Sequence, residues 1–319
     1  MLTYILFIIG FILLIKGADL LVDGASSIAK KLNISAIVIG LTIVAFGTSM
    51  PELIVNIFAS ARGNTDIAIG NILGSNIANI LLILGISAII YPLATKKNTV
   101  WKEIPLSLLA AIILGVMAND ILIDGAGFSG LTRIDGIVLI AFFIIFLYYT
   151  FGIAKISGEA DDTSIKQHDY LKSFLYIIGG LVALIIGGKW IVDGAVKIAE
   201  LFNVSQSLMG LTIVAVGTSL PELATSAIAA YKKQTDIAIG NVVGSSIFNI
   251  FWILGVSSII RPLPFSTNSA TDILMTVFAS LILFAIMFVG KKHTVERWQG
   301  AFMVMVYIGY VGFLIINQQ

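Results

Sequence analysis

The stretch "GTSMPE" runs from Gly47 to Glu52, and "GTSLPE" runs from Gly217 to Glu222. Both lie inside runs otherwise apolar enough for lipid, where a carboxylate costs a few kcal/mol or more and by default marks an ion or proton path. Pro51 and Pro221 cannot donate a backbone hydrogen bond and clash with the preceding turn. Gly47 and Gly217 relax the backbone beside them. The pattern predicts a discontinuous helix in each place. Its unwound carbonyls and the hydroxyls of Thr48, Ser49, Thr218 and Ser219 would face a polar cavity, where irregular backbone is tolerable. A local reading competes: Ser49-x-x-Glu52 and Ser219-x-x-Glu222 both fit a capping box, in which Glu only satisfies a helix N-terminus.

The surrounding chain is a membrane protein by composition. Of its 319 residues 58% are hydrophobic and 12% charged, with mean hydropathy +1.02, where a soluble chain carries about a quarter charged residues. Apolar runs of roughly 20 residues, the length that spans a bilayer, recur at about 2–24, 35–60, 66–91, 100–119, 133–154, 170–193, 205–230, 236–261, 270–289 and 298–316. The first lacks a basic leader and a small-residue cleavage site, so it reads as a span and not as a signal peptide. With no cysteine and a net charge of +1, disulfides, thiolate chemistry and a nucleic-acid partner are not indicated. No cofactor or protein partner is indicated either; the partners expected are the lipid bilayer and transported cations.

Sliding the sequence by 170 positions lays 18–92 on 188–262 without a gap. "GLTIVAFGTSMPEL" (40–53) meets "GLTIVAVGTSLPEL" (210–223), and "TDIAIGNILGSNIANI" (65–80) meets "TDIAIGNVVGSSIFNI" (235–250). About thirty of the 53 positions from Gly40 to Pro92 are identical, and the match fades after Met117 and Met287. The fold expected is therefore all-α and polytopic: ten transmembrane helices in two five-helix repeats (1–154 and 170–319), joined by a linker at 155–169. An odd number of spans per repeat inverts the second relative to the first, the architecture with which many secondary transporters build a midplane site from broken helices. Thirteen Lys and Arg fall on one face of such a bundle and four (Arg62, Arg133, Lys197, Arg261) on the other. The positive-inside rule places the linker in the cytoplasm and both termini outside, in the cell (plasma) membrane.

The second matched element adds ligands. Ser75 and Asn79 are i and i+4, as are Ser245 and Asn249, so each pair shares a helix face. Asn71 and Asn241 lie one turn further back, where bracing between helices is the favoured reading. A bland reading competes, since Gly70/Gly74 and Gly240/Gly244 have the spacing of close-packing motifs and Ser and Asn often hydrogen-bond between membrane helices. Two carboxylates with hydroxyls, amides and carbonyls form an all-oxygen set, suited to Ca²⁺, Na⁺ or H⁺. Two carboxylates neutralise one divalent or two monovalent cations, the equivalence an exchanger needs. Intramembrane proteolysis is not indicated, since neither a Ser–His pair nor two midplane Asp residues occur. A cation channel is the remaining rival. Asp23 and Asp193, each followed by Gly, read as turns.

At these residues the sequence resembles the sodium/calcium exchanger family of the calcium/cation antiporter superfamily, along the whole ten-span chain. The paired "GTSxPE" and "GSxxxN" elements look like its two repeats. The resemblance implies Ca²⁺ exchanged for Na⁺ by alternating access, with spans one and six sliding as a pair. It makes Glu52 and Glu222 shared carboxylate ligands. Oxygens would come from Thr48, Ser49, Thr218, Ser219 and the carbonyls of Ala45 and Ala215, and Ser75, Asn79, Ser245 and Asn249 would complete the ring. Many family members have Asp where this chain has Asn249; Asn in both repeats is similar to proton/calcium relatives, so H⁺ stands as the alternative counter-ion. The arrangement of the "GTS" hydroxyls resembles the sodium-coupled branch and favours Na⁺.

Overall fold

A computed structural model describes residues 2–125, 127, 129–154, 167–201, 215–265 and 267–317. The linker segment 155–166 and the entry to the expected seventh span, 202–214, lie outside the described residues. Helices dominate: α1 (Leu2–Leu32), α2 (Ala36–Thr48), α3 (Met50–Arg62), α4 (Thr65–Ile90), α5 (Lys97–Met117), α6 (Asp120–Asp124), α7 (Arg133–Ala154), α8 (Tyr170–Leu201), α9 (Ala215–Thr218), α10 (Leu220–Tyr231), α11 (Thr235–Ile260), α12 (Thr267–Ile286) and α13 (Arg297–Asn317). Among the described residues eight of them are long and apolar enough to cross a membrane, and the bent pair α2–α3 passes the same test when its two helices are taken together.

The longest helices form a unit. α1 and α8 run antiparallel along a seam of glycines seven residues apart. A Cβ added at Gly10, Gly17 or Gly24 would come within 2.8–2.9 Å of the carbonyls of Gly187, Gly180 and Ser173 respectively. Only glycine lets the two backbones approach so closely, the device membrane helices use where lipid offers no hydrophobic drive to association. This also overturns the turns expected at Asp23-Gly24 and Asp193-Gly194, both of which lie inside continuous helices. Gly24 sits inside a continuous helix because its missing side chain serves the seam, and α1 extends to Leu32 by burying Ala25, Ser26, Ser27 and Ala29.

α4 and α11 form the buried centre and also run antiparallel. Gly63, held at φ +85°, lies under the Arg261 guanidinium, which puts the start of α4 beside the end of α11. At the other face Lys233 stands 5.8 Å from the Tyr91 ring, which puts the start of α11 beside the end of α4. Two short antiparallel strand pairs tie the loops of these faces: β1 (Leu93–Ala94) with β4 (Thr294–Val295), and β2 (Gly130–Leu131) with β3 (Leu263–Pro264). Around the centre, α13 packs on the end of α4, α7 on the end of α11, and α5 on α12.

The bend that positions the site comes from local sequence. α2 and α3 meet at 47° at Ser49, whose ψ of 8° departs from the helix. Ser219 repeats it between α9 and α10, with ψ 7°. Pro51 and Pro221, in the first turns of α3 and α10, have no N–H to offer the carbonyls of Gly47 and Gly217, so each ladder breaks there. The discontinuity is one residue long rather than an unwound stretch, because the Ser49 N–H still reaches the Ala45 carbonyl at 3.0 Å.

Candidate ion-binding site

Glu52 and Glu222 open α3 and α10 and are each 1% exposed. The serines before them do not cap their own helices. Each turns instead to the carboxylate of the other half: Ser49 Oγ donates to Glu222 Oε1 at 2.8 Å, and Ser219 Oγ donates to Glu52 Oε1 at 3.1 Å. The capping-box reading fails for a geometric reason, since the bend aims each serine side chain across the interface between the halves. Ser75 completes one side, 3.4 Å from Glu52 Oε1 and 3.1 Å from Ser219 Oγ.

The threonines and the two further asparagines hold this crossing in place. Thr48 Oγ1 donates to Asn241 Oδ1 at 3.0 Å, and Asn241 Nδ2 donates to Ser226 Oγ at 2.9 Å and to the Glu222 carbonyl at 3.3 Å. The other half mirrors this more loosely: Thr218 Oγ1 is 3.3 Å from Asn71 Oδ1, and Asn71 Nδ2 is 3.5 Å from the Glu52 carbonyl. Asn71 and Asn241 thus brace helices. Asn56 supplies a further amide to the Glu52 carbonyl at 3.1 Å.

Asn79 and Asn249 each lie in a π-helical segment, Ala78–Ile83 in α4 and Phe248–Leu254 in α11. Such widened turns add a residue to the helix and recur at functional sites. The Asn79 segment packs on α10, which carries Glu222, and the Asn249 segment packs on α3, which carries Glu52. Asn249 Nδ2 donates to Asn76 Oδ1 at 3.1 Å. Among the ligands expected from the sequence, five buried oxygens carry no hydrogen bond: Glu52 Oε2, Glu222 Oε2, Asn79 Oδ1, Ser245 Oγ and Asn249 Oδ1. Buried polar atoms are paired in more than nine cases in ten, and an unpaired group calls for an explanation such as a bound ion. Among the described residues no three His, Cys, Asp or Glu side chains gather, so the donors are two carboxylates and neutral oxygens, chemistry for a hard cation.

Residues 2–152 and 172–316 match the family model described as sodium/calcium exchanger protein. The chain belongs to the sodium/calcium exchanger family. It is 38% identical over 314 residues to the putative antiporter CaxA of Alkalimonas amylolytica, with 95% of each chain covered. It is 33% identical over 344 aligned positions to the sodium/calcium exchanger MaX1 of Methanosarcina acetivorans, with 97% of each covered. Its fold superposes on the sodium-calcium exchanger NCX_Mj, soaked with Na⁺ and Ca²⁺, with a TM-score of 0.84, 37% identity and 98% of each chain covered. The protein is therefore an integral membrane cation antiporter of a transporter family rather than a family of enzymes.

Within this exchanger the Ala45 carbonyl already accepts the Ser49 N–H and lies 3.3 Å from Thr48 Oγ1. Ala215 begins α9, and its side chain lies outside the described residues. Asn56 and Asn76 escaped sequence reasoning. In the second half their positions hold Ser226 and Ser246, so they are not matched between the repeats; the signal left was one more amide in each of two apolar spans.

Proposed function

We propose that the chain exchanges Ca²⁺ for Na⁺ by alternating access at a midplane site made by Glu52 and Glu222 with Thr48, Ser49, Ser75, Asn79, Thr218, Ser219, Ser245, Asn249 and the carbonyls of Ala45 and Ala215. The observation that carries this reading is the reciprocal pair of serine–carboxylate bonds across the two halves, beside five buried oxygens without partners. The ten-span architecture consists of inverted repeats 1–154 and 170–319 with a cytoplasmic linker at 155–169 and both termini outside the cell membrane. The antiparallel course of α1 against α8 and of α4 against α11 supports it, as does the odd number of expected spans per repeat.

The two carboxylates set the exchange. With both carboxylates ionised, the empty site is poorly placed to change sides through a low-dielectric interior; one Ca²⁺ or two monovalent cations neutralise it. Proton coupling is the second reading, favoured by one observation: Asn249 is uncharged, so Glu52 and Glu222 are the only acidic ligands. Radioactive Ca²⁺ uptake into proteoliposomes, driven separately by outward Na⁺ and H⁺ gradients, separates them. Uptake with the Na⁺ gradient alone is expected; uptake with the H⁺ gradient alone moves the protein to the proton-coupled branch. Uptake requiring neither gradient identifies a channel.

The charge balance makes a further expected result. With two carboxylates, exchange of one Ca²⁺ for two Na⁺ carries no net charge, so a valinomycin-clamped potential should leave the uptake rate unchanged. Asn249→Asp adds a third carboxylate and should make the rate depend on potential. Potential-dependent exchange by the unmodified protein would refute the exchange of two Na⁺ for one Ca²⁺.

A further inference from the structure

Outside the central site, Lys232 forms a second charged cluster. Its Nζ lies 2.6 Å from Asp19 Oδ1, 2.7 Å from Asp23 Oδ1 and 3.0 Å from the Asp19 carbonyl. Asp19 and Asp23 are i and i+4 on α1 and share a face. Lys232 directly follows α10, the helix whose first turn holds Glu222. One ammonium thus ties the α1–α8 unit to a ligand-bearing helix.

The 170-residue offset gives this cluster a counterpart. Lys232 corresponds to Arg62, Asp23 to Asp193 and Asp19 to Lys189. Arg62 follows the Glu52-bearing turn of α3 to its end, and Asp193 and Lys189 lie on α8. Arg62 and Asp193 are both exposed, and among the described residues neither forms an ion pair. The equivalent groups are therefore joined at one end of the molecule and apart at the other.

We propose that Lys232 with Asp19 and Asp23 is a latch that holds its own face closed, and that Arg62 with Asp193 is the opposite latch, formed when the other face closes. The inference rests on the alternating-access reading above. The two latches are unequal. The first sets one cation against two carboxylates; in the second, Lys189 replaces Asp19 and repels Arg62. The cycle is thereby biased toward the conformation in which the Lys232 face is shut. Its groups are partly exposed, with side-chain exposures of 23%, 42% and 37% for Lys232, Asp19 and Asp23, so breaking it shifts the balance between conformations by roughly fivefold rather than unfolding the protein.

The chain contains no cysteine, so single cysteines can report on each face without background. Ala229→Cys lies on α10 toward Lys232, and Ala59→Cys is its counterpart on α3 toward Arg62; both positions are buried. Their labelling rates with a membrane-impermeant maleimide in nanodiscs are the readout. Adding Lys232→Met is expected to raise labelling of Ala229→Cys about fivefold and to lower that of Ala59→Cys, with Lys232→Arg restoring both rates. Adding Arg62→Met should do the reverse. A parallel rise at both positions would mean that Lys232 only stiffens the fold, and unchanged rates at both would mean that it holds nothing shut; either overturns the latch. The labelling needs no knowledge of the cargo, so absence of Na⁺-driven uptake by the unmodified protein, with reciprocal labelling in the variants, would refute the proposed counter-ion while supporting the latch.

Discussion

Replacing Glu222 with Gln is expected to abolish gradient-driven Ca²⁺ uptake, and Glu52→Gln should do the same. Each carboxylate is buried, accepts a serine hydroxyl from the opposite half through Oε1, and keeps Oε2 without a protein partner. Gln preserves shape and can still accept the serine proton, so the fold should survive. What it removes is half of the charge that neutralises a divalent ion out of water. Removing one partner of a buried ion pair costs about 3–5 kcal/mol, which is roughly a hundredfold or more in apparent affinity. The measurement is twofold: uptake into proteoliposomes, and the rise in melting temperature that Ca²⁺ confers on the purified protein by binding its folded state. Both should vanish in either variant, while the melting temperature without Ca²⁺ stays level or climbs, because an unpaired buried charge is gone. Full uptake by Glu222→Gln would show that this carboxylate does not carry the ion.

The second large effect is steric. In Gly244→Val a side chain must enter where α11 touches α2: a Cβ there would stand 2.7 Å from the Leu41 carbonyl oxygen and 2.8 Å from the Ala45 Cβ. These neighbours are helix backbone or fixed to it, so the helices must part, at a cost of about 1–3 kcal/mol or more. The displacement falls directly on the site, because the next turn of α2 carries Thr48, bonded to Asn241 at 3.0 Å, and then Ser49, bonded to Glu222 at 2.8 Å. Lower melting temperature is expected together with at least tenfold slower uptake per folded molecule. Gly309→Ala is the control. A Cβ there meets nothing within 4 Å, and Ala favours a helix over Gly by roughly 0.5–1 kcal/mol, so neither stability nor uptake should fall. Equal behaviour of the two variants would remove the close-packing explanation.

The central architecture was legible because it is written twice. Two copies of an intramembrane carboxylate after Gly and before no compensating cation point to one chemistry, and the "GSxxxN" elements point to the helix faces beside it. Local pattern could not supply the partnerships. Ser49-x-x-Glu52 has the spacing of a cap, yet a 47° bend turns the serine toward the other half, and nothing within six residues encodes that bend's direction. Asn76 went unread because the second copy has Ser246. Asp23-Gly24 looked like a turn because the pair has turn chemistry; only the approach of Ser173 explains why glycine sits there inside a helix. The Lys232 cluster joins positions more than 200 residues apart, and its sequence trace was no more than Asp19 and Asp23 on one helix face.

The α1–α8 seam has one more consequence. With 31 and 32 residues, these helices are about 46–48 Å long at 1.5 Å per residue, against a hydrocarbon layer of roughly 30 Å. Such excess length is accommodated by tilt or by deformation of the surrounding lipid, at fractions of a kcal/mol per Å of mismatch. Because the glycine contacts bind the two rods side by side, they lean as one body, and bilayer thickness acts on their shared inclination together with the packing around the seam. Acyl chain length in the host membrane therefore acts on this protein as a mechanical load, and reconstitution into thinner or thicker bilayers should change its turnover without touching a single ion ligand.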